Sequence, residues 1–269
     1  MRILLPPSEA KRPDPPRARA GHDGASGHDG ASGHDGASGQ LGAARSVVLS
    51  ALVEFAAAPG AAQALRLPAR SAAADLAGNQ AVRTAARMPA IERYTGTVYE
   101  GLDVRTLTAA GRRRADASVL IFSGLWGVAR ADEPLPSYRL PAAASLPGLG
   151  VLASFWRPFL DEALPSLLGD GDGDGGLIVD LRSTDYSAMW RPRGALRERV
   201  VSVRVLSSRP GAGPAVISYP SKLGKGKLAR ALVARRARIS KRAHLVDAWL
   251  GSGGADGWLR ADGSVDLLI

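Results

Sequence analysis

The stretch ASVLIFSGLWGV, Ala117 to Val128, decides the fold. It reads as a buried strand from about Ser118 to Ser123 that runs into a glycine-bearing turn. GLIVDLRS (Gly176 to Ser183) is a second buried strand, and RILL (Arg2 to Leu5) is a third, stopped by Pro6 and Pro7. VVSVRVL and AVISY form a β-pair around the turn SSRPGAGP, and GWLRADGSVDLLI closes the chain as a hairpin. Between these strands lie helical patterns. Ala44 to Ala58 has helical spacing and ends at Pro59-Gly60, and Ser71 to Met88 is another helix with Ser71 as N-cap. VLASFWRPFLDEALPSLL is an amphipathic helix interrupted by Pro158 and Pro165. Strands alternating with helices, plus antiparallel pairs, predict an α/β (mixed α+β) single domain over residues 1–269. Its mixed sheet is flanked by helices, with no linker between folding units.

At 269 residues the chain can bury a sizeable core, and 45% hydrophobic with 22% charged residues is the balance of a globular protein. Its formal charge of +10 is unevenly spread. Arg191 to His244 holds 15 Lys and Arg against one acid, Glu198, so the rest of the chain is mildly acidic. Such a block suits a polyanionic partner; a solvated helix face is the other reading. The absence of cysteine excludes disulfides, thiolate metal sites and thiol peroxidase chemistry. The apolar run at the start is too short for a secretory signal, and no run is long enough for a membrane span. A cytoplasmic, monomeric protein is expected.

Two segments have no core-building capacity. Gly21 to Gly39 is three tandem copies of GHDGAS and reads as a flexible loop holding His22, His28 and His34. A floppy repeat preorganises no metal site, so slippage of a short DNA repeat accounts for it better. GDGDGDGG (Gly169 to Gly176) lacks the distal Glu of a calcium loop and reads as a solvated turn. No metal and no cofactor is expected.

Only His244 lies outside the repeat, so any catalysis falls to carboxylate, lysine, tyrosine or serine. SYPSKLGKGKLARAL (Ser218 to Leu232) reads as a strand end, a turn and a helix start. Gly224 and Gly226 would then admit a ligand to the backbone, with Lys222, Lys225 and Arg230 around a phosphate. The Walker pattern is absent. RYTGTVYEGLD sets Tyr94 and Tyr99 beside Gly96 and Gly101, either as stacking faces for bases or as buried tyrosines. VDLRSTDYSAMW puts Asp180, Arg182, Ser183, Asp185 and Tyr186 at the C-terminal end of a strand, where α/β sheets commonly bind ligands. SLPGLGVLA (Ser145 to Ala153) has a Pro-Gly-Leu-Gly like the hairpin of helix-hairpin-helix modules, without a clear preceding helix.

LLPPSEAK, GNQAVRT, YTGTVYEGL, SGLWGVARADEPLPSYRL, VDLRSTDYSAMW and SYPSKLGKGKLARAL, in this order, resemble the YaaA peroxide-stress family along most of the chain. The resemblance implies a single α/β domain with a cationic cleft, a cytoplasmic role in surviving hydrogen peroxide, DNA binding, and limitation of iron-driven damage. Carried over position by position, the cleft would be lined by Ser8, Asn79, Arg83, Tyr99, Tyr138, Ser183 and Tyr186. Lys11, Arg130, Arg139, Lys222, Lys225, Gly226 and Arg230 would hold phosphate. Departures from the family pattern are Ala10 in place of Gly, Ala131-Asp132-Glu133 after Arg130, and the SYPSK version of its motif.

Two functions follow. One is a DNA-binding stress protein that contacts the phosphate backbone without reading sequence. The other is an enzyme on a small phosphorylated or nucleotide-like substrate, with Tyr99, Asp180 or Asp185 moving protons. Direct iron chelation has little support in a chain without cysteine.

Overall fold

The computed structural model describes residues 1–14, 38–169, 176–209 and 212–269. Most of the GHDGAS repeat, most of the GDGDGDGG segment and the centre of the SSRPGAGP turn lie outside the described residues.

One mixed sheet of eight strands organises the chain: β1 (Arg2–Leu5), β2 (Val119–Ser123), β3 (Gly127–Arg130), β4 (Ile178–Asp180), β5 (Val200–Arg209), β6 (Ala212–Ala215), β7 (Asp256–Leu259) and β8 (Val265–Leu268). Their spatial order is β7-β8-β5-β4-β1-β2-β3, with β6 beside β5. The pairs from β8 across to β2 are parallel; β3 on β2, β7 on β8 and β6 on β5 are antiparallel. Every residue of β2 is buried, and so are Ile3, Leu4 and Leu5 of β1. That explains why both read as unbroken apolar runs: a central parallel strand is covered on both faces and has no polar side to show.

The main helices are α1 (Ser38–Ala56), α2 (Ala72–Gln80), α3 (Thr97–Leu102), α4 (Ala109–Ser118), α5 (Leu152–Leu168), α6 (Ser218–Ala234) and α7 (Ala243–Leu250). α1 packs with α2 and α5, while α6 packs with α3, α4, α7 and β5. Trp156 of α5 and Trp249 of α7 are among the largest fully buried side chains. The mixed α/β architecture is the expected one.

Four local expectations change. α5 runs straight through Pro158 and Pro165 instead of breaking. Pro158 is exposed, and so is Ser154, the residue whose carbonyl would otherwise take the amide that proline lacks, so that carbonyl lies on the solvent side of the helix. α2 stops at Gln80, and Ser71 flanks it without capping its amides, binding Asp75 instead (2.9 Å). The partner of β5 is Ala212–Ala215, because the chain is already helical at Ser218. Ser145–Leu146 and Gly150–Val151 pair as a small antiparallel ladder that leads into α5, so this segment is a β-hairpin and not a turn between two helices.

Gly224 and Gly226 bring the largest correction. They lie inside α6, six and eight residues after its start at Ser218, and not in a turn before it. Each interior glycine costs a helix about 1 kcal/mol against alanine, so the packing must return it. A Cβ on Gly226 would stand 2.0 Å from the Val98 carbonyl oxygen, and one on Gly101 would stand 2.3 Å from that of Leu223. The two glycines let α3 and α6 touch backbone to backbone.

Candidate active-site crevice

β1 and β4 are neighbours, but their connections leave in opposite directions, from β1 towards β2 and from β4 towards β5. In an open α/β sheet such a reversal parts the loops beyond the strand ends and leaves a crevice. Here the loops are Pro6 to Lys11 and Leu181 to Asp185. Each is held from beneath. Tyr99 of α3 donates its hydroxyl to the Pro6 carbonyl (2.8 Å), and Lys225 of α6 donates to the Arg182 carbonyl (3.0 Å).

Lys11 sits at the centre of this arrangement. Its ammonium donates to the Ser8 carbonyl (3.1 Å) and lies 4.2 Å from the Tyr138 ring centroid and 5.3 Å from that of Tyr94. No carboxylate among the described residues makes an ion pair with it. Removal from water lowers its pKa from 10.5 to about 8; Arg139 and Arg93 add to the drop, and Glu9 and Asp75 oppose it. A cavity of about 220 Å³ opens beside it, lined by Glu9, Lys11, Ser71, Asp75, Tyr138 and Arg139 among others.

Behind Lys11 runs a chain of hydroxyls. Ser123 Oγ accepts the amides of Leu125 (3.1 Å) and Trp126 (3.0 Å), so its own proton points to Tyr138 Oη at 2.5 Å. Tyr138 and Tyr94 share the next contact at 2.6 Å. Three hydroxyls bring three protons to two contacts, which leaves one phenolic proton available to a ligand. Burial raises Tyr94 to about 12 and lifts Tyr138, Tyr99 and Tyr186 well above the usual phenol. These rings stay neutral near pH 7 and act as donors, not as phenolate bases.

The residues singled out from sequence separate into groups. Ser8, Lys11, Tyr138 and Arg139 meet at the crevice. Asn79 is fully buried and clamps its wall, donating to the Arg139 carbonyl (2.9 Å) and accepting the Arg139 amide (2.7 Å). Arg139 itself forms an ion pair with Glu9 (2.9 Å). Tyr94, Tyr99 and Tyr186 are buried, which removes Tyr94 and Tyr99 as stacking faces. Asp180 is held by both oxygens to Arg182 (2.9 and 2.7 Å), Ser183 precedes the short helix Thr184–Ser187, and Asp185 is exposed. Arg83 binds Ser50 of α1 (2.7 Å), and Arg130 lies beside Asp132 on the edge strand β3, so neither lines the cavity. On α6, Lys222 is exposed, whereas Arg230 donates to the carbonyls of Leu102 (3.1 Å) and Asp103 (2.6 Å), closing the end of α3.

A family model described as "Peroxide stress protein YaaA" matches residues 1–248. The chain belongs to the YaaA family. Its likeness to individual proteins also runs through the whole fold. A UPF0246 protein of Streptomyces coelicolor is 40% identical over 256 residues, covering 92% of this chain and 88% of its own. One from Corynebacterium efficiens is 32% identical over 261 residues, 94% and 93% of the two chains. The family assignment places this YaaA chain in the response to peroxide. Among its described residues no helix is long and apolar enough to cross a membrane.

Two arginines of this YaaA chain, Arg93 and Arg45, gave no signal in sequence, and a third, Arg182, expected among ligand-binding residues, is buried instead. Arg93 is fully buried and donates to the carbonyls of Leu135 (3.1 Å), Arg12 (2.7 Å) and Ala86 (2.7 Å). Arg182 lies 4.4 Å from the Phe122 ring centroid while gripping Asp180. Arg45 of α1 donates to the Trp126 carbonyl (3.0 Å) and forms an ion pair with Glu133 (2.7 Å). Arg93 and Arg45 bind carbonyls or acids distant in sequence, and no local pattern records such partners.

Proposed function

We propose that this YaaA-family chain serves peroxide resistance by holding DNA through its phosphate backbone, without reading bases, and so limits iron-driven damage on the strand it covers. The observation that carries this reading is the set of exposed cations Lys222, Lys227, Arg236 and Lys241 on α6 and the segment after it. Among the described residues none of the four makes an ion pair. Tyr219, 57% exposed and one turn before Lys222, adds a ring on which a base can stack. Each phosphate neutralised on duplex DNA contributes about −0.9 to the slope of log affinity against log salt.

Fluorescence anisotropy of a short duplex across a salt series tests it, with wild type beside the Lys222→Ala/Lys227→Ala double variant. Lys225 and Arg230 stay untouched, because their side chains hold backbone carbonyls and their loss would disturb the fold. The variant should flatten the slope by about 2 units. An unchanged slope, or no binding by wild type, overturns the reading.

A second reading is favoured by a separate observation, the cavity of about 220 Å³ beside Lys11. It is far too small for a duplex, and it suits an enzyme acting on a small molecule; the sequence suggested a phosphorylated or nucleotide-like one, and Glu9 and Asp75 on the wall disfavour that much negative charge. Tyr99 and Asp180 are occupied by Pro6 and Arg182, so chemistry in this crevice falls to Lys11 and the Tyr94–Tyr138–Ser123 chain.

A further inference from the structure

We propose that Lys11 is an imine-forming lysine and that the crevice around it takes a small aldehyde or 2-oxo acid. The proposal rests on the small-molecule reading above and names its substrate class.

Lysines that hold structure spend their ammonium on ion pairs or backbone carbonyls, as Lys225 does, or direct it at solvent. Among the described residues Lys11 makes no ion pair and uses one of its three N–H donors, on the Ser8 carbonyl, while the aromatic faces of Tyr138 and Tyr94 cover another side. What remains adjoins the cavity, since Lys11 is part of its lining. Lys225 provides the contrast: it too bonds a carbonyl, but it lines no cavity described here and Asp180 lies near it. An amine desolvated in this way is partly neutral near physiological pH, which is the state that attacks a carbonyl carbon.

The charges on the cavity wall narrow the ligand. Arg139 and Lys11 face Glu9 and Asp75, so the positive and negative groups balance. A multiply charged phosphate would meet two carboxylates at close range. A neutral aldehyde would not, and a 2-oxo acid brings a single negative charge that Arg139, shared with Glu9, can partly offset. Arg93 also acts on Lys11, and its guanidinium is committed to backbone carbonyls and to Asp14 (2.9 Å).

The step balances without an oxidant or reductant. The neutral Nζ adds to the carbonyl carbon, forming a C–N bond as the C=O π bond breaks, and the oxygen takes up, by way of solvent, one of the two Nζ protons to become the carbinolamine hydroxyl. That hydroxyl departs as water with the spare phenolic proton of the Tyr94–Tyr138 pair, while Nζ loses its remaining proton to solvent and the phenol is reprotonated from solvent. Amine and carbonyl have then become imine and water.

Wild-type protein is incubated at about pH 7.5 with pyruvate, glyoxylate or glycolaldehyde and sodium cyanoborohydride, then mapped by peptide mass spectrometry. Lys222 serves as an internal reference, with Lys11→Arg and Lys11→Met in parallel. Lys11 should be alkylated at least about tenfold faster than Lys222, with a rate that levels off above about pH 8. The variants should show reference labelling only. Equal labelling of Lys11 and Lys222 overturns the proposal. If one of these carbonyl compounds raises the melting temperature of wild type saturably but leaves no adduct on Lys11, the imine is excluded and the small-molecule reading stands. If neither adduct nor shift is seen, both fail. The wild-type map suffices should Lys11→Met not fold.

Discussion

α6 and the Lys11 crevice offer opposite lessons about charge. α6 belongs to the most basic part of the chain, yet much of that charge is turned inward: Lys225 holds the Arg182 carbonyl and Arg230 holds Leu102 and Asp103. The crevice holds few charges, and they nearly cancel, yet it contains the most perturbed lysine among the described residues. Density of charge in sequence therefore marks where cations are numerous, and burial marks where one of them is chemically altered. A cation satisfied by backbone carbonyls is part of the scaffold; one with unused donors beside a cavity is available for work.

The sharpest way to break this comparison is at the glycines of α6. If Gly226 serves contact with α3 and not a ligand, Gly226→Ala must force the Val98 carbonyl away. Thermal or urea unfolding should then show a loss of about 3 kcal/mol. A variant as stable as wild type but unable to bind DNA would restore the ligand-facing reading of that glycine.

The crevice makes its own prediction through pH. A lysine whose folded pKa is depressed binds fewer protons folded than unfolded between the two values, so stability rises with pH in that window. Lys11 lies at about 8 folded against 10.5. Wild type should therefore gain about 2 kcal/mol on Lys11→Met between about pH 8 and about pH 10, with little relative change below about pH 7. The buried tyrosines pull the other way above about pH 10, where unfolded phenols ionise first, and they do so in both proteins. A flat difference across the window would mean that the Lys11 ammonium is well solvated.

The smallest effect sharpens the comparison from the other side. Lys222→Ala/Lys227→Ala should change stability by no more than about 0.5 kcal/mol in denaturant melts. A larger loss would place these cations in the scaffold with Lys225 and Arg230.

The strands were legible because burial on both faces writes itself into sequence as an apolar run: Arg2–Leu5 has the predicted bounds, and Val119–Ser123 differs by one residue. The closing hairpin was legible for another reason, the Asp262-Gly263 turn between two short runs, since its strand Asp256–Leu259 is largely exposed. The course of α5 through two prolines was not, because tertiary packing of Trp156 and Leu160 decides it. Lys11, Tyr138 and Arg139 were found through resemblance, and their convergence needs the strand reversal between β1 and β4. The glycines of α6 were seen but misplaced. A glycine that opens a turn and one that admits a neighbouring helix look alike until the partner, Gly101, more than a hundred residues earlier, is brought alongside.

β1 lies in the middle of the sheet, and both neighbours are made long after it. Its partners begin at Val119 and Ile178, so a ribosome adding about 5–20 residues per second produces the first of them several seconds or more after Leu5 is made. Until then a strand whose Ile3, Leu4 and Leu5 end fully buried has no sheet to join. Long-range parallel pairing of this kind folds slowly, and it makes the nascent chain dependent on whatever shields apolar segments during synthesis. A cell under oxidative attack would have to keep that shielding in order before this protein could be of use.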